Sequence, residues 1–196
     1  MNFEYADIIN PELEKHNFSK AIEIAETELK KIKSTDFHYV LNLSLLHHSE
    51  ELAKWTETIC QLASKNIGIG ALYFELNEFD INTDRWYIDL FIFENDGGHD
   101  PYDMEWLCDF NSSSYNENES DFTISGYEKL QEAFETTDVS DTDTKNARDW
   151  SEQLIIARFL ELMSAAHQIA KKNNMSWANT PIYFTEHQYD FILRSE

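Results

Sequence analysis

The apolar residues of this chain recur with two periods, and the places where the period changes divide it into elements. Asn10-Pro11 reads as a helix start, an N-cap followed by proline at the first helical position. Phe18, Ile22, Ala25, Leu29 and Ile32 then recur at helical spacing with Glu and Lys between them. This predicts a helix over 11–33 with a break near Asn17. Phe37, Tyr39, Leu41, Leu43 and Leu45 alternate, which predicts a strand. Ser49 is placed to cap a second helix over 50–65, whose apolar face is Leu52, Trp55, Thr56, Ile59, Leu62 and Ala63.

Gly68–Phe79 (GIGALYFELNEF) and Arg85–Glu94 (RWYIDLFIFE) read as two strands, and the short DINTD connection makes them a hairpin. In the second strand Trp86, Ile88, Leu90 and Ile92 share an apolar face. Tyr87, Asp89, Phe91 and Phe93 form the other, expected to be half covered. Residues 95–103 (NDGGHDPYD) read as a loop, Met104–Phe110 as a third strand of the meander and Phe122–Ile124 as a fourth. A short helix follows at Tyr127–Phe134, then a polar loop at 136–145. The longest helix, 146–173, has an apolar face wide enough to be central, and Pro181–Phe191 closes the chain as one or two strands. The order predicts a single α+β domain over 1–196, a mainly antiparallel sheet with helices packed on one face.

Charge changes the picture. Against 15 Lys and Arg stand 37 Asp and Glu, a net charge of −22. A hydrophobic fraction of 42% and an aromatic fraction of 14% nevertheless argue for a folded chain. Such a field repels nucleic acid and anionic membrane and attracts basic proteins or cations. An acidic protein that is merely kept soluble by its charge satisfies the same composition. Cys60 and Cys108 fall in different elements and form no CxxC pair, so reduced, buried thiols are expected. The first residues, MNFEYADIINPELEKH, lack the basic region and apolar core of a signal peptide, and no apolar window reaches membrane-spanning length. The expected location is cytoplasmic.

The acids are not evenly spread. From Trp86 to Glu128 there are eleven acidic residues and no Lys or Arg, interleaved with large aromatics. This reads as a surface for a basic protein, with aromatic side chains as anchors and carboxylates steering the encounter. The residues assigned to it are Asp96, Asp100, Tyr102, Asp103, Glu105, Trp106, Asp109, Tyr115 and Glu117. The competing reading places the aromatics in the core and leaves the acids to solvate loops.

No catalytic signature accompanies the charge. The chain has no GxSxG, no phosphate-binding glycine loop, no HExxH and no Cys/His quartet. Asp96, Asp100 and Asp103, like Asp138, Asp141 and Asp143, miss the EF-hand pattern, so neither loop is more than a weak surface cation site. His47 and His48 point to opposite faces if they lie on a strand, and His167 reads as a packing residue of the long helix. No catalytic residue, metal or cofactor is therefore expected, and the oligomeric state stays open.

Asp100–Phe110 (DPYDMEWLCDF) resembles a pattern in small bacterial immunity proteins of toxin–immunity systems: an acidic turn, an acid before a Trp, then a hydrophobic-Cys-Asp run. The arrangement over roughly 70–190, with the motif after a hairpin and before a long helix, resembles their layout. The resemblance implies a cytosolic protein that binds one cognate toxin. Many such toxins are nucleases with basic clefts, which an acidic cap occludes. The alternatives are a nucleic-acid mimic that inhibits a DNA-binding protein, a small carboxylate- or cation-dependent hydrolase, and a structural or regulatory subunit.

Overall fold

The structure is a computed structural model that describes residues 2–77, 85–100, 102–108, 114–115, 121–187 and 189–195. The chain opens with helix α1, Phe3–Leu13, capped by Asn2, whose side chain accepts the Glu4 N–H at 3.1 Å. The helix therefore starts well before Asn10-Pro11. Pro11 lies in its last turn and faces solvent; it removes the bond its N–H would make to the Asp7 carbonyl, which is left exposed to water. The expected break is present: His16 takes a left-handed φ of 56°, and helix α2 runs from Phe18 to Leu29.

The strand expected over Phe37–Leu45 does not form. Asp36–Val40 is a 3-10 turn, and a second one spans Leu46–His48. His38 explains the change. Its Nδ1 accepts the Thr35 N–H at 3.0 Å while its Nε2 reaches the Leu29 carbonyl at 3.1 Å. These bonds tie the His38 ring back to the end of α2 and to Thr35, which favours a tight turn over an extended segment. Phe37 and Val40, three apart, both reach the core, whereas Tyr39 is exposed. His47 and His48 consequently do not point to opposite faces, and their rings lie 4.0 Å apart.

Helix α3 spans Ser49–Ala63 and buries Leu52, Ala53, Thr56, Ile59, Cys60 and Ala63. Leu62 is exposed and Trp55 half-buried, so the buried face is turned from the expected one. Ser49 is the first helical residue, and its hydroxyl donates to the Leu46 carbonyl instead of capping an N–H.

Strands β1 (Ala71–Leu76) and β2 (Trp86–Phe93) form the expected antiparallel pair, in register from Ala71↔Phe93 to Leu76↔Ile88. The connection at 80–84 and Phe79 lie outside the described residues. Strands β3 (Ser114–Tyr115) and β4 (Phe122–Ile124) both pair with β2. Helix α4 follows at Glu128–Thr136. Helix α5, Thr142–Asn173, begins inside the stretch read as a loop because Asp141 caps it, accepting the Thr144 N–H at 3.0 Å. It ends at Asn174, which takes the left-handed conformation. Every residue from Asp149 to Leu160 is buried, so α5 is the axis of the helical layer.

Beyond α5 the chain returns as β5 (Ile182–Glu186), parallel to β1, followed by β6 (Leu193–Ser195), antiparallel to β5. The sheet order is β3-β2-β1-β5-β6 with β4 also on β2. The fold is α+β, with a mainly antiparallel sheet and the helices on one face. That face of β2 carries Trp86, Ile88, Leu90 and Ile92, each at most 3% exposed.

The opposite face holds a smaller apolar cluster, Ala71, Tyr73, Phe93, Leu107 and Tyr183, against which Phe91, Met104, Trp106 and Ile192 pack. What covers it is the segment after β2. The part of Met104–Phe110 that is described is not a strand: Glu105–Cys108 forms a 3-10 turn, and Asp109 and Phe110 lie outside the described residues. Leu107 enters the cluster and Cys108 is exposed, which corrects the expectation of two buried thiols. Cys60 is buried, and burial pushes its thiol up to about 12. Among the described residues no helix is long and apolar enough to cross a membrane.

Candidate functional site

Residues 94–100 and 102–108 form a strap across the open sheet face, and glycine makes its seat possible. A Cβ on Gly97 would lie 2.4 Å from Cδ2 of Trp106, so the backbone touches the indole directly. Gly98 has a φ of +84°, and its carbonyl accepts the Trp106 Nε1–H at 3.0 Å. The indole packs edge-on against Phe93 and Tyr183, both at 5.1 Å between ring centroids. Asp96 is the second fixing point. It accepts the Tyr183 hydroxyl at 2.6 Å, Arg194 Nη2 at 2.9 Å and the Gly98 N–H at 2.8 Å. Two residues assigned to partner binding, Asp96 and Trp106, thus hold the strap to the sheet.

The outer part of the strap faces solvent. Asp100 accepts the Tyr102 N–H at 3.0 Å through its side chain and the Asp103 N–H at 3.0 Å through its carbonyl. Between these two aspartates stands Tyr102, 98% exposed. Glu94, Asp100, Asp103 and Glu105 are all exposed, and none forms an ion pair with a described residue. The structure therefore brings together Asp100, Tyr102, Asp103 and Glu105. Asp109 and Glu117 lie outside the described residues, and Tyr115 is placed by its backbone alone, paired with Ile92.

Most other aromatics of the acidic stretch are interior. Trp86, Phe93, Phe122 and Tyr127 are buried, and Tyr87 and Phe91 are half-buried. Nor are exposed acids confined to the strap, since Glu132, Glu135, Asp138, Asp141 and Asp143 are exposed around the start of α5. Two of these have local tasks: Asp141 caps the helix, and Asp138 holds the Ser140 N–H at 2.9 Å. The strap differs in having a fully exposed aromatic among its carboxylates. Cations concentrate elsewhere. Lys15, Lys20, Lys30, Lys31, Lys54 and Lys145 pair with acids three or four residues away, on or beside the helices. Bordering the open face, Arg85 is engaged by Asp121 at 2.6 Å and Arg194 by Asp96.

Further along the same face is a constellation that sequence reasoning missed. Glu75 and Asp89 stand directly opposite each other on β1 and β2. The Tyr73 hydroxyl donates to Glu75 Oε1 at 2.9 Å, and His187 Nδ1 lies 3.1 Å from Glu75 Oε2. Burial first, then repulsion from Glu75 and Asp121, pushes the Asp89 carboxyl up to about 6, with His187 and Arg85 acting against the shift. Burial likewise moves the Tyr73 hydroxyl well above its ordinary range. Chemically, a carboxylate held by donors beside a carboxyl that keeps its proton up to about pH 6 can share that proton below that pH or accept a cation above it. The available signal was two acids inside apolar strands, but their meeting depends on hairpin register. No described group of three His, Cys, Asp or Glu is placed to hold a metal.

No family model, curated protein or solved structure matches this chain, so its own residues and geometry carry the functional reading.

Proposed function

We propose that this is a non-enzymatic binding protein that captures a cationic protein partner on the open sheet face, in the role of a cytoplasmic immunity protein that occludes the active site of a basic toxin. A nuclease suits the charge, because carboxylates would cover the residues that grip phosphate. The observation that carries the reading is Tyr102, 98% exposed among uncompensated carboxylates on a strap whose base is fixed. An exposed tyrosine, with only two side-chain torsions to fix, supplies contact area at low entropic cost, and the acids around it steer the approach.

The test is calorimetry against any basic domain that the adjacent reading frame encodes, with the triple variant Asp100→Lys, Asp103→Lys, Glu105→Lys. Three reversed rim charges should weaken the complex by about 100-fold and flatten its salt dependence. A complex that ignores all three reversals places the partner elsewhere. The Glu75–Asp89 pair favours one second reading, a carboxylate-dependent hydrolase. A thermal-shift screen with sugars and divalent cations addresses it, and no shift with any of them removes it.

A further inference from the structure

We propose that the cleft between the α1–α2 turn, the strap and β6 receives an arginine side chain of the protein partner. The inference rests on the preceding reading for the nature of the partner, while the chemistry of the cleft stands on its own lining. The cleft has a volume of about 510 Å³, ample for a guanidinium with its stem. Glu14 lies on one wall and Asp190 on another; both are exposed, and neither forms an ion pair with a described residue. The cation in the lining, Arg194, is already bound to Asp96 at 2.9 Å and lies over the Tyr183 ring. The charge left uncompensated in the cleft is therefore negative.

The polar chemistry points the same way. His99 Nε2 lies 3.1 Å from the Ile192 carbonyl oxygen. A carbonyl only accepts, so the neutral ring carries its proton on Nε2 and keeps Nδ1 as an acceptor. Two carboxylates and an imidazole acceptor suit a group with several donors and no acceptor. Guanidinium has five donors in a planar fork, and its flat face and methylene stem match the apolar wall of Met104 and Phe191. An ammonium would satisfy the charge without the stacking. Both His99 and Met104 belong to the strap, within three residues of Tyr102. A protein seated on Tyr102 therefore has the cleft beside it.

The test uses the intact chain and N-acetyl-arginine amide as probe, followed by NMR at the His16 and His99 rings and the Met104 methyl. Saturable shifts at these three positions are expected, weaker ones with N-acetyl-lysine amide, and none with N-acetyl-glutamate amide. Glu14→Gln combined with Asp190→Asn should weaken the arginine probe about tenfold. Glu14→Lys should abolish its binding. These side chains are exposed, and circular dichroism checks that the variants fold. Equal shifts with the arginine and glutamate probes, no saturation, or an unchanged double variant overturns the proposal. Saturation in a chain that forms no complex with the neighbouring basic domain supports the cleft and overturns only the identity of the partner. A complex formed with a silent cleft overturns the cleft alone.

Discussion

Replacing Asp89 with Asn tests whether the open sheet face holds like charges against their preference. Asp89 sits on β2 opposite Glu75, and its carboxyl is raised from 3.8 to about 6. Between those values the folded chain keeps a proton that the unfolded chain has lost. The folded state binds more protons across that window, so this residue makes stability fall as pH rises through it, and the full cost is present above pH 6. A rise from 3.8 to about 6 corresponds to at most about 3 kcal/mol, and partial solvent access reduces this to about 1–2 kcal/mol. Asn has nearly the same shape, and Asp89 accepts no hydrogen bond from the described residues. Asp89→Asn should therefore stabilise the chain by about 1–2 kcal/mol at pH 7.5, roughly 2–8 °C in Tm, and by close to nothing at pH 4. Urea or thermal unfolding of both proteins at the two pH values measures the difference. The general loss of negative charge on acidification acts on both and cancels. An equal gain at both pH values, or a loss at pH 7.5, would refute the reasoning. A carbon-detected carboxyl titration gives an independent reading, in which Glu75→Gln lowers the midpoint of Asp89.

Two further substitutions probe the seat of the strap and the helical core. Gly97→Ala puts a methyl 2.4 Å from the Trp106 ring and must lift the indole off Phe93 and Tyr183. A loss of about 1–3 kcal/mol is expected, with a red-shifted tryptophan emission, and an unchanged spectrum would mean that the indole is not seated there. His167 has no exposed surface; it stacks on Trp177 at 5.4 Å and has Nδ1 2.9 Å from Ser195 Oγ. Burial, aided by Lys171, lowers it from 6.5 to about 4, so the unfolded ring takes a proton that the folded one refuses, and stability is lost as pH falls across that window. His167→Gln should remove up to about 3 kcal/mol of that pH dependence, and parallel stability curves for variant and parent would contradict it.

What could be read from the sequence was whatever depends on neighbours in the chain. Trp86, Ile88, Leu90 and Ile92 are buried on one face because period two and a half-covered sheet leave few other arrangements. The long apolar run of α5 had to be central for the same reason. Phe37–Leu45 misled because Phe37 and Val40 also fit a three-residue spacing, and His38 settled the competition through side-chain bonds that no periodicity reports. Met104–Cys108, the described part of the third expected strand, failed similarly: Trp106 bonds back to Gly98, and its neighbours turn with it. The site was legible as composition and not as geometry. The partner of Asp96 is Arg194, 98 residues away, and the parallel return of β5 onto β1, which brings them together, has no local signature. Tyr102 and Trp106 look alike in the sequence, yet one is almost wholly exposed and the other is clamped between two rings.

The placement of charge also bears on why such an arrangement persists. A net charge of −22 costs stability through self-repulsion, and the cheapest relief is a cation nearby. Along the helices the chain supplies that relief itself, through ion pairs three or four residues apart. Bordering the open face it supplies Arg85 and Arg194, each already engaged, while the Asp89 carboxyl is raised to about 6 and the strap carboxylates face water. On the proposed reading, carboxylates left without a cation on the open face are what a basic partner would neutralise. A cationic partner would supply the missing charge, so its binding should be linked to proton release from Asp89 at and below about pH 6 and should stabilise the chain more at low salt than at high salt. Exposed acids also lie around the start of α5, and what sets the strap apart from them is the exposed Tyr102 among its carboxylates.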